Sequence, residues 1–573
     1  MIYAIILISY KKEKTPMNSK VKKLILITTL LSITFFSITT AAAPDDIRIL
    51  SAPIWMPDDA LLDNENTPIA IDDTMKSEKE MFFTEAVSAK RVKFTNLVDG
   101  YSIVIPSSLN IDMSLSDVGA IFSDDTITLK IFKESFDTAS ERLSYLNYSN
   151  RFLDNTSDHK LIKKESFIQG TTEYFITEWS RKRLSKVKDD RNYYACVDVC
   201  IDARVYTFFL NSNIPFNLYG GYMDIVNSLT TFDPTVPHIN AYNAGYKGTS
   251  TSRLNSSAKR TYYNLFDSDA SFKMGMFPPD KFGGFARMEE IEEQLDYKFC
   301  AFLVYTEIAD ISTSSPDHYA SRVKDYLKKV ERNFTYAQST ERAIELTLQT
   351  PLSRGESPSN MMYEILDGKY DYFINEYASL ISKYSDVTVL FRPFNEMNGD
   401  WCNYSSFHTS RDPKVYVDVY RYLHEKFDEA GCNNTLWVWN PNEISFPNYK
   451  WNNQSLYYPG DKYVDIYGIT GYNTGTYYEG ESWRSFDEIY APIYEKVLQL
   501  NEKPVMITEF SCSAIGGDKV AWIEDMFLSL PKYDKIKLGI WWHATDYDGE
   551  NLSRPYFIDT PEGTLDVFDK YLN

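Results

Sequence analysis

The sequence predicts an α/β protein: a (β/α)8 TIM barrel preceded by a smaller α+β domain with an antiparallel sheet. Three observations predict this. Beyond about residue 240, short runs of β-branched and aromatic residues alternate with amphipathic stretches, the pattern of parallel βα architecture. Eight such runs can be counted, the number that a closed barrel needs. Two of them end on a glutamate followed by polar and aromatic residues, as a strand does when it leaves the core and reaches a barrel mouth.

The eight expected strands are Ser271–Phe277, Phe299–Tyr305, Ala343–Gln349, Val387–Phe391, Thr435–Trp439, Val464–Thr470, Val505–Thr508 and Lys537–Trp541. Between them, apolar residues recur with helical spacing in Met288–Leu295, His318–Phe334, Tyr372–Tyr384, Val415–Ala430, Ser485–Leu500 and Val520–Leu528. Residues 240–573 therefore read as one barrel domain.

A chain of 573 residues is too long for one core, and a second unit is expected at 85–232. It opens with a hairpin, Val92–Val98 and Tyr101–Pro106 around a turn at Asp99-Gly100. Further strands are expected at Thr126–Phe132, Thr172–Trp179 and Ala203–Leu210, with helices at Ala139–Asp154 and Tyr222–Leu229. Its aromatics alternate as strand core does, and no catalytic constellation stands out, so adhesion, spacing and support of its neighbour all remain open as roles. Phe232–Asn240 carries two prolines and reads as a linker.

The first residues read as an address. Lys20-Val21-Lys22-Lys23 forms a basic n-region, Leu24–Thr40 is mostly apolar, and Ala41-Ala42-Ala43 supplies small residues for cleavage. Residues 1–43 are expected to be a signal peptide with Met17 as the working start, and 44–84 a flexible acidic segment. Secretion follows; the competing reading keeps the apolar run as an uncleaved anchor.

Hydrophobic content of 43% and charged content of 24% are those of a globular protein. Lys+Arg 59 against Asp+Glu 80 gives a net charge of −21, which argues against nucleic acid or an anionic membrane surface as partner. A neutral polysaccharide needs no such steering. Six cysteines are too few for a disulfide scaffold of this size, although Cys196 and Cys200 are close enough to pair across a local bend. With no second close pair and six scattered histidines, no zinc site is expected.

The chemistry is read at the strand ends. Glu396 follows the fourth strand and Glu509 ends the seventh, which places them on opposite sides of the mouth. A pair of carboxylates facing one another across a sugar is the apparatus of glycoside hydrolysis, one attacking the anomeric carbon while the other protonates the leaving oxygen. Arg392, four residues before Glu396, can hold the nucleophile ionised. Tyr472 can donate a hydrogen bond to it, and Trp401 and Trp541 offer flat faces for pyranose rings. No metal or organic cofactor is required. Glu443 is an alternative acid with a loop role favoured, Asp400 reads as a loop anchor, and His543 as a second-layer hydrogen-bonding group. Trp437 and Trp439 stand evenly between barrel packing and sugar contact.

Phe391-Arg-Pro-Phe-Asn-Glu-Met-Asn-Gly-Asp-Trp401 together with Pro504-Val-Met-Ile-Thr-Glu-Phe510 resembles glycoside hydrolase family 26. The resemblance covers roughly 240–573, is strong at strands four, six, seven and eight, and weak before 340. It implies a retaining mechanism with Glu396 as acid/base and Glu509 as nucleophile. It further implies Tyr472 as the nucleophile's hydrogen-bond donor, Trp401 as a subsite aromatic and Trp541 as the cleft floor. Its members are mostly endo-β-mannanases, with some β-1,3-1,4-glucanases and xylanases. One position departs: the family's mannanases usually have His directly before the acid/base, and here it is Asn395. The expected function is a secreted, monomeric endo-glycosidase acting on a β-linked plant polysaccharide, β-1,4-mannan first and mixed-linkage β-glucan second. A catalytically silent carbohydrate-binding surface protein is the reading from another class.

Overall fold

The computed structural model describes residues 81–237, 251–311, 315–351, 359–500 and 503–573. The leader, the anchor alternative, most of the acidic segment and part of the linker lie outside the described residues. Eight parallel strands close into a barrel in sequence order: β1 Lys273–Phe277, β2 Ala301–Glu307, β3 Ala343–Gln349, β4 Val389–Pro393, β5 Thr435–Trp439, β6 Ile466–Asn473, β7 Val505–Cys512 and β8 Ile536–Trp542. β1 closes the ring on β8, with Met276 opposite Trp541. The (β/α)8 expectation holds, and each strand lies within a few residues of its sequence position.

Strand alternation decides which residues fill the barrel and which face the helices. Leu390, Leu436, Val438, Met506, Leu538 and Ile540 belong to the interior cluster, whereas Val389, Phe391, Trp437, Val505, Ile507 and Trp541 pack in the outer layer against the helices. Trp437 and Trp439 are both outer-layer packing: Trp437 meets Phe391 edge-on at 4.9 Å, and the Trp439 indole donates to the Tyr457 carbonyl at 3.1 Å. The bottom of the barrel is stopped by a helix the sequence pattern did not predict, Ser256–Phe266. The Asn255 side chain caps it by accepting from the Ala258 amide, and Ala258, Tyr262, Leu265 and Phe266 join the interior cluster. Helices Met361–Leu366 and Thr564–Leu572 were likewise unpredicted.

The N-terminal unit holds two antiparallel sheets. The larger runs Asn110–Asp112, Ala120–Ser123, Ile127–Ser135, Arg204–Ser212, Tyr193–Ile201, Thr172–Arg181 and His159–Gln169 in spatial order. The smaller runs Phe82–Ser88, Arg91–Asn96, Tyr101–Pro106 and Thr230–Thr231. The helix Ala139–Tyr148 starts at a reciprocal capping box between Thr138 and Glu141. Several of these strands were not expected. His159–Gln169 is an edge strand exposed along most of its length, so it carries no apolar alternation to be read. Cys196 and Cys200 do not sit at a bend: both lie on one extended strand, Tyr193–Ile201, where positions four apart are roughly 13 Å apart. Both thiols are free and buried, and that expected pairing is corrected.

The two units share a core. Trp179, Tyr194 and Phe209 of the larger sheet pack in one buried cluster with Trp451 and Leu456, which lie between β5 and β6 of the barrel. Among the described residues no helix is long and apolar enough to cross a membrane.

Candidate active site

Glu509 owes its position to an extra residue in β7. Pairing with β6 passes from Ile469↔Ile507 to Thr470↔Glu509, and pairing with β8 passes from Ile507↔Gly539 to Phe510↔Trp541. The bulge puts two consecutive side chains on the inner side. Thr508 meets Thr470 at 3.0 Å, Glu509 points into the mouth, and Phe510 packs outward on Trp541 at 5.1 Å between ring centres.

Three groups hold the Glu509 carboxylate. Arg392 Nη1 lies 2.6 Å from Oε1, Tyr472 donates to Oε2 at 2.7 Å, and Tyr305 at the end of β2 donates to Oε1. Burial and the Glu509 charge push both phenols well above their usual range, so they remain protonated donors. Arg392 is itself fully buried and fixed from every side. Its Nε bonds Thr347 at 2.8 Å and lies 3.0 Å from Glu345, its Nη1 bonds Asn440 at 3.1 Å, and its Nη2 bonds Tyr305 at 3.2 Å. Glu345 is the deeper partner, with no solvent exposure; burial pushes its carboxyl up to about 8 against the opposing pull of Arg392.

Glu396 sits on a strained turn. Phe394 and Glu396 both adopt positive φ, 54° and 55°, a region that costs a non-glycine residue about 1–3 kcal/mol. Two backbone bonds impose it: Phe394 N to Leu348 O and Glu396 N to Asn440 O, both 2.8 Å. The carboxylate then meets Asn442 Nδ2 at 2.6 Å and the Trp401 indole N–H at 3.3 Å. Burial and the neighbouring Glu509 charge push it up to about 7, outweighing the Asn442 bond. Two acids in one mouth thus differ: Glu509 is locked between a cation and two hydrogen-bond donors, whereas the Glu396 carboxyl is raised to about 7.

Trp401 is 37% exposed and folds back over Gly399, where a Cβ would come within 2.4 Å of the indole. Phe446 is 53% exposed, lies 6.3 Å from Trp401 between ring centres, and pairs its backbone with Asp400 and Asn398. These rings form an open apolar shelf beside Glu396. Asn395 is buried; its Oδ1 accepts from Gln349 at 2.8 Å and from Tyr404 at 3.2 Å.

Trp541 is not the cleft floor. It has no exposed surface, donates to the Tyr556 carbonyl at 2.8 Å and packs on Phe568. On β8 the inward parity belongs to Ile540 and Trp542; Trp542 stacks on Phe277 at 4.2 Å and meets Tyr305 edge-on at 5.7 Å. Glu443 is clamped by Arg484 through two bonds of 2.8 and 2.5 Å. Asp400 accepts from Tyr148 of the N-terminal unit. His543 is buried and accepts from the Ile558 amide at 3.2 Å; burial holds it down at about 4.

Sequence reasoning missed Tyr305, Glu345, Asn442, Trp542 and Phe446. A signal existed for Glu345, a lone charge inside the apolar run Ala343–Gln349, since a strand core does not bury a carboxylate without use for it. Among the described residues no group of three or more His, Cys, Asp and Glu could hold a metal ion.

Residues 337–515, which include β3 to β7 and both glutamates, match the model of Glycosyl hydrolase family 26. This stretch is a glycosyl hydrolase family 26 sequence. β8 lies beyond the matched residues. The chain is 34% identical over 184 residues to Endoglucanase H of Acetivibrio thermocellus, covering 31% of this chain and 20% of that protein. It is 35% identical over 116 residues to a mannan endo-1,4-beta-mannosidase of Bacillus subtilis, covering 17% of this chain and 30% of that one. The chain thus spans less than a third of these relatives' lengths. Among solved structures, the catalytic domain of a family 26 endo-beta-1,4-mannanase of Bacillus sp. JAMB-750 is 18% identical, with a TM-score of 0.42, over 58% of this chain and 93% of that one.

Proposed function

We propose that this chain is a secreted retaining endo-β-glycosidase that cleaves a β-linked plant polysaccharide as a monomer, with β-1,4-mannan as its substrate. The observation that carries the reading is the contrast between the two glutamates: Glu509 clamped by Arg392, Tyr305 and Tyr472, Glu396 held near neutrality by burial and by Glu509. The sequence relationship to mannan endo-1,4-beta-mannosidases supports the substrate. Glu509 attacks the anomeric carbon and forms a glycosyl-enzyme, while Glu396 passes its proton to the departing oxygen. Relieved of the proton, Glu396 then takes one from water, which releases the sugar with its configuration retained. Trp542 beneath and Trp401 with Phe446 at the side give apolar faces on which pyranose rings stack.

A specific observation favours mixed-linkage β-1,3-1,4-glucan as a second reading. Asn395 precedes the acid, and with its Oδ1 engaged by Gln349 and Tyr404 it keeps its amide N–H groups for a sugar hydroxyl. Mannose and glucose differ at the 2-hydroxyl, so this contact is where the two substrates separate, and one relative is an endoglucanase. The test is product analysis on galactomannan, glucomannan, barley-type β-glucan and xylan with the native protein and Glu509→Ala. Cleavage of mannan by the native protein alone supports the first reading, and cleavage of β-glucan alone the second. Binding without cleavage of any polymer sinks both.

A further inference from the structure

The connection after β4 and the connection after β5 flank Glu396 on one side, and both are gripped by the N-terminal unit. From the first, Asp400 accepts from Tyr148, and the Phe407 ring packs on Tyr148 at 4.8 Å. Further along, Asp412 accepts from Tyr194 at 3.1 Å and Asn211 at 3.3 Å, and Arg411 Nη1 reaches Cys196 Sγ at 3.4 Å. From the second connection, the Lys450 amide donates to Glu134 at 2.6 Å and the Trp451 indole to Ser149 at 3.0 Å. Arg411, Asp412 and Trp451 are each at most 2% exposed. Charged side chains buried to this degree depend on their partners, since a buried charge left alone is strongly destabilising.

The two connections are also tied to each other. Asp400 N donates to Phe446 O at 2.9 Å and Phe446 N to Asn398 O at 2.8 Å, while Asn452 Nδ2 bonds the same Asn398 carbonyl at 2.8 Å. Asp400 therefore stands at a junction. Its backbone fixes Phe446, its carboxylate is held by Tyr148, and the next residue is Trp401, whose indole N–H meets Glu396 Oε2. A tether would leave the cleft indifferent to the N-terminal unit; this contact chain does not.

We propose that the N-terminal unit is a positioning element of the cleft, in which Tyr148, acting through Asp400, sets Trp401 against Glu396. The inference rests on the reading of Glu396 as acid/base. It gives residues 85–232 a role in turnover. The hydrogen bond from Trp401 favours the ionised form of Glu396. If Tyr148 no longer holds Asp400, Trp401 loosens, that bond weakens, and the Glu396 carboxyl rises. The titratable groups around Glu396 are Glu509, Arg392, the phenols of Tyr305, Tyr472 and Tyr404, and the Cys402 thiol. All of these lie on the barrel, so a shift caused by Tyr148→Phe travels through geometry and not through a charge added or removed beside the acid.

The experiment uses the full chain and soluble polysaccharide. Tyr148→Phe is expected to lower kcat by about threefold to tenfold and to move the basic limb of kcat/KM upward by roughly half a pH unit, with little change in thermal midpoint. In a Trp401→Phe background the limb has already moved, and Tyr148→Phe is expected to add nothing further, the non-additivity of residues acting through one contact. Glu396→Gln is measured alongside. If Glu396→Gln turns over like the native protein, the acid/base reading itself fails. If Glu396→Gln is inactive while Tyr148→Phe keeps native kcat and an unmoved limb, the positioning inference is overturned. A lowered thermal midpoint with an unmoved limb overturns it too, because the contact is then structural only. Should Tyr148→Phe not fold, Asp400→Asn replaces it: the amide still accepts from Tyr148, more weakly, so a smaller shift in the same direction is expected and an unmoved limb is fatal to the inference.

Discussion

Arg392 serves two carboxylates with one guanidinium: Nη1 lies 2.6 Å from Glu509 and Nε 3.0 Å from Glu345. All three side chains are almost or wholly without solvent, so the arrangement is stable only as a set. The proposed nucleophile is thus anchored from below by a cation that has its own buried counter-acid.

Arg392→Ala should therefore damage both stability and turnover. Removing the cation leaves the buried Glu509 carboxylate with only the Tyr305 and Tyr472 phenols as partners, at a cost of about 3–5 kcal/mol. Denaturant unfolding should report that loss, and kcat/KM should fall on the order of a hundredfold or more. A variant with native stability would contradict that role for Arg392.

Glu345→Gln should behave differently with pH. Burial raises the Glu345 carboxyl to about 8, above its unfolded value of about 4.3. A group raised on folding contributes stability that is fully present below its unfolded pKa and lost as pH rises through the folded one. The amide mimics the neutral acid and does not titrate. The thermal midpoint of Glu345→Gln relative to the native protein should consequently be higher at pH 9 than at pH 5, and equal differences at both would contradict the assignment.

Activity should have its own basic limb. Glu396 must carry a proton to release the leaving oxygen, and burial beside Glu509 puts its carboxyl at about 7. The rate constant kcat/KM should decline as pH rises through that value. Glu396→Ala should abolish polysaccharide cleavage yet spare the first step for aryl glycosides with very good leaving groups, which need no proton. Equal loss on both substrates would point to a structural role for Glu396.

The two adjacent tryptophans of β8 should separate cleanly. Trp541→Ala empties a filled outer layer and should cost about 3–5 kcal/mol, with KM for the folded fraction unchanged. Trp542→Ala should raise KM for polysaccharide several-fold, roughly 1–2 kcal/mol of lost stacking, with a smaller stability loss. The reverse pattern would restore Trp541 to the cleft.

Asn395→His offers a direct probe of substrate choice. If the Asn395 amide meets the 2-hydroxyl, the swap should change the ratio of mannan to β-glucan cleavage by about tenfold or more. An unchanged ratio would place discrimination elsewhere, on Trp401 and Phe446 for example.

Most of the barrel was legible because most strands are compact apolar runs with a glutamate, proline or glycine at or just beyond the end. Glu396 and Glu509 were legible for the same reason. What escaped depended on direction. Trp541 and Trp542 differ by one position in sequence and by an entire layer in space, and only pairing with β1 and β7 tells which faces inward. Tyr305 was counted as the end of a strand, yet nothing in its neighbours says that it reaches the acid on β7. The edge strand His159–Gln169 lacked alternation because most of it faces water. The helix Ser256–Phe266 was lost because a barrel plug is read against the strands it covers, and these lie far along the chain.

The extra residue in β7 has a consequence for how the protein can change. Met506 and Thr508 follow ordinary alternation, and Glu509 reaches the mouth only because one residue is surplus. Deleting Thr508 would restore even pleating and draw Glu509 into the place Thr508 now holds against Thr470, one residue deeper in the barrel, by roughly 3 Å, and short of the mouth. Whether Glu509 can attack a substrate is therefore a matter of counting along one strand, and a one-codon loss there would silence the protein while leaving every proposed catalytic residue in its sequence.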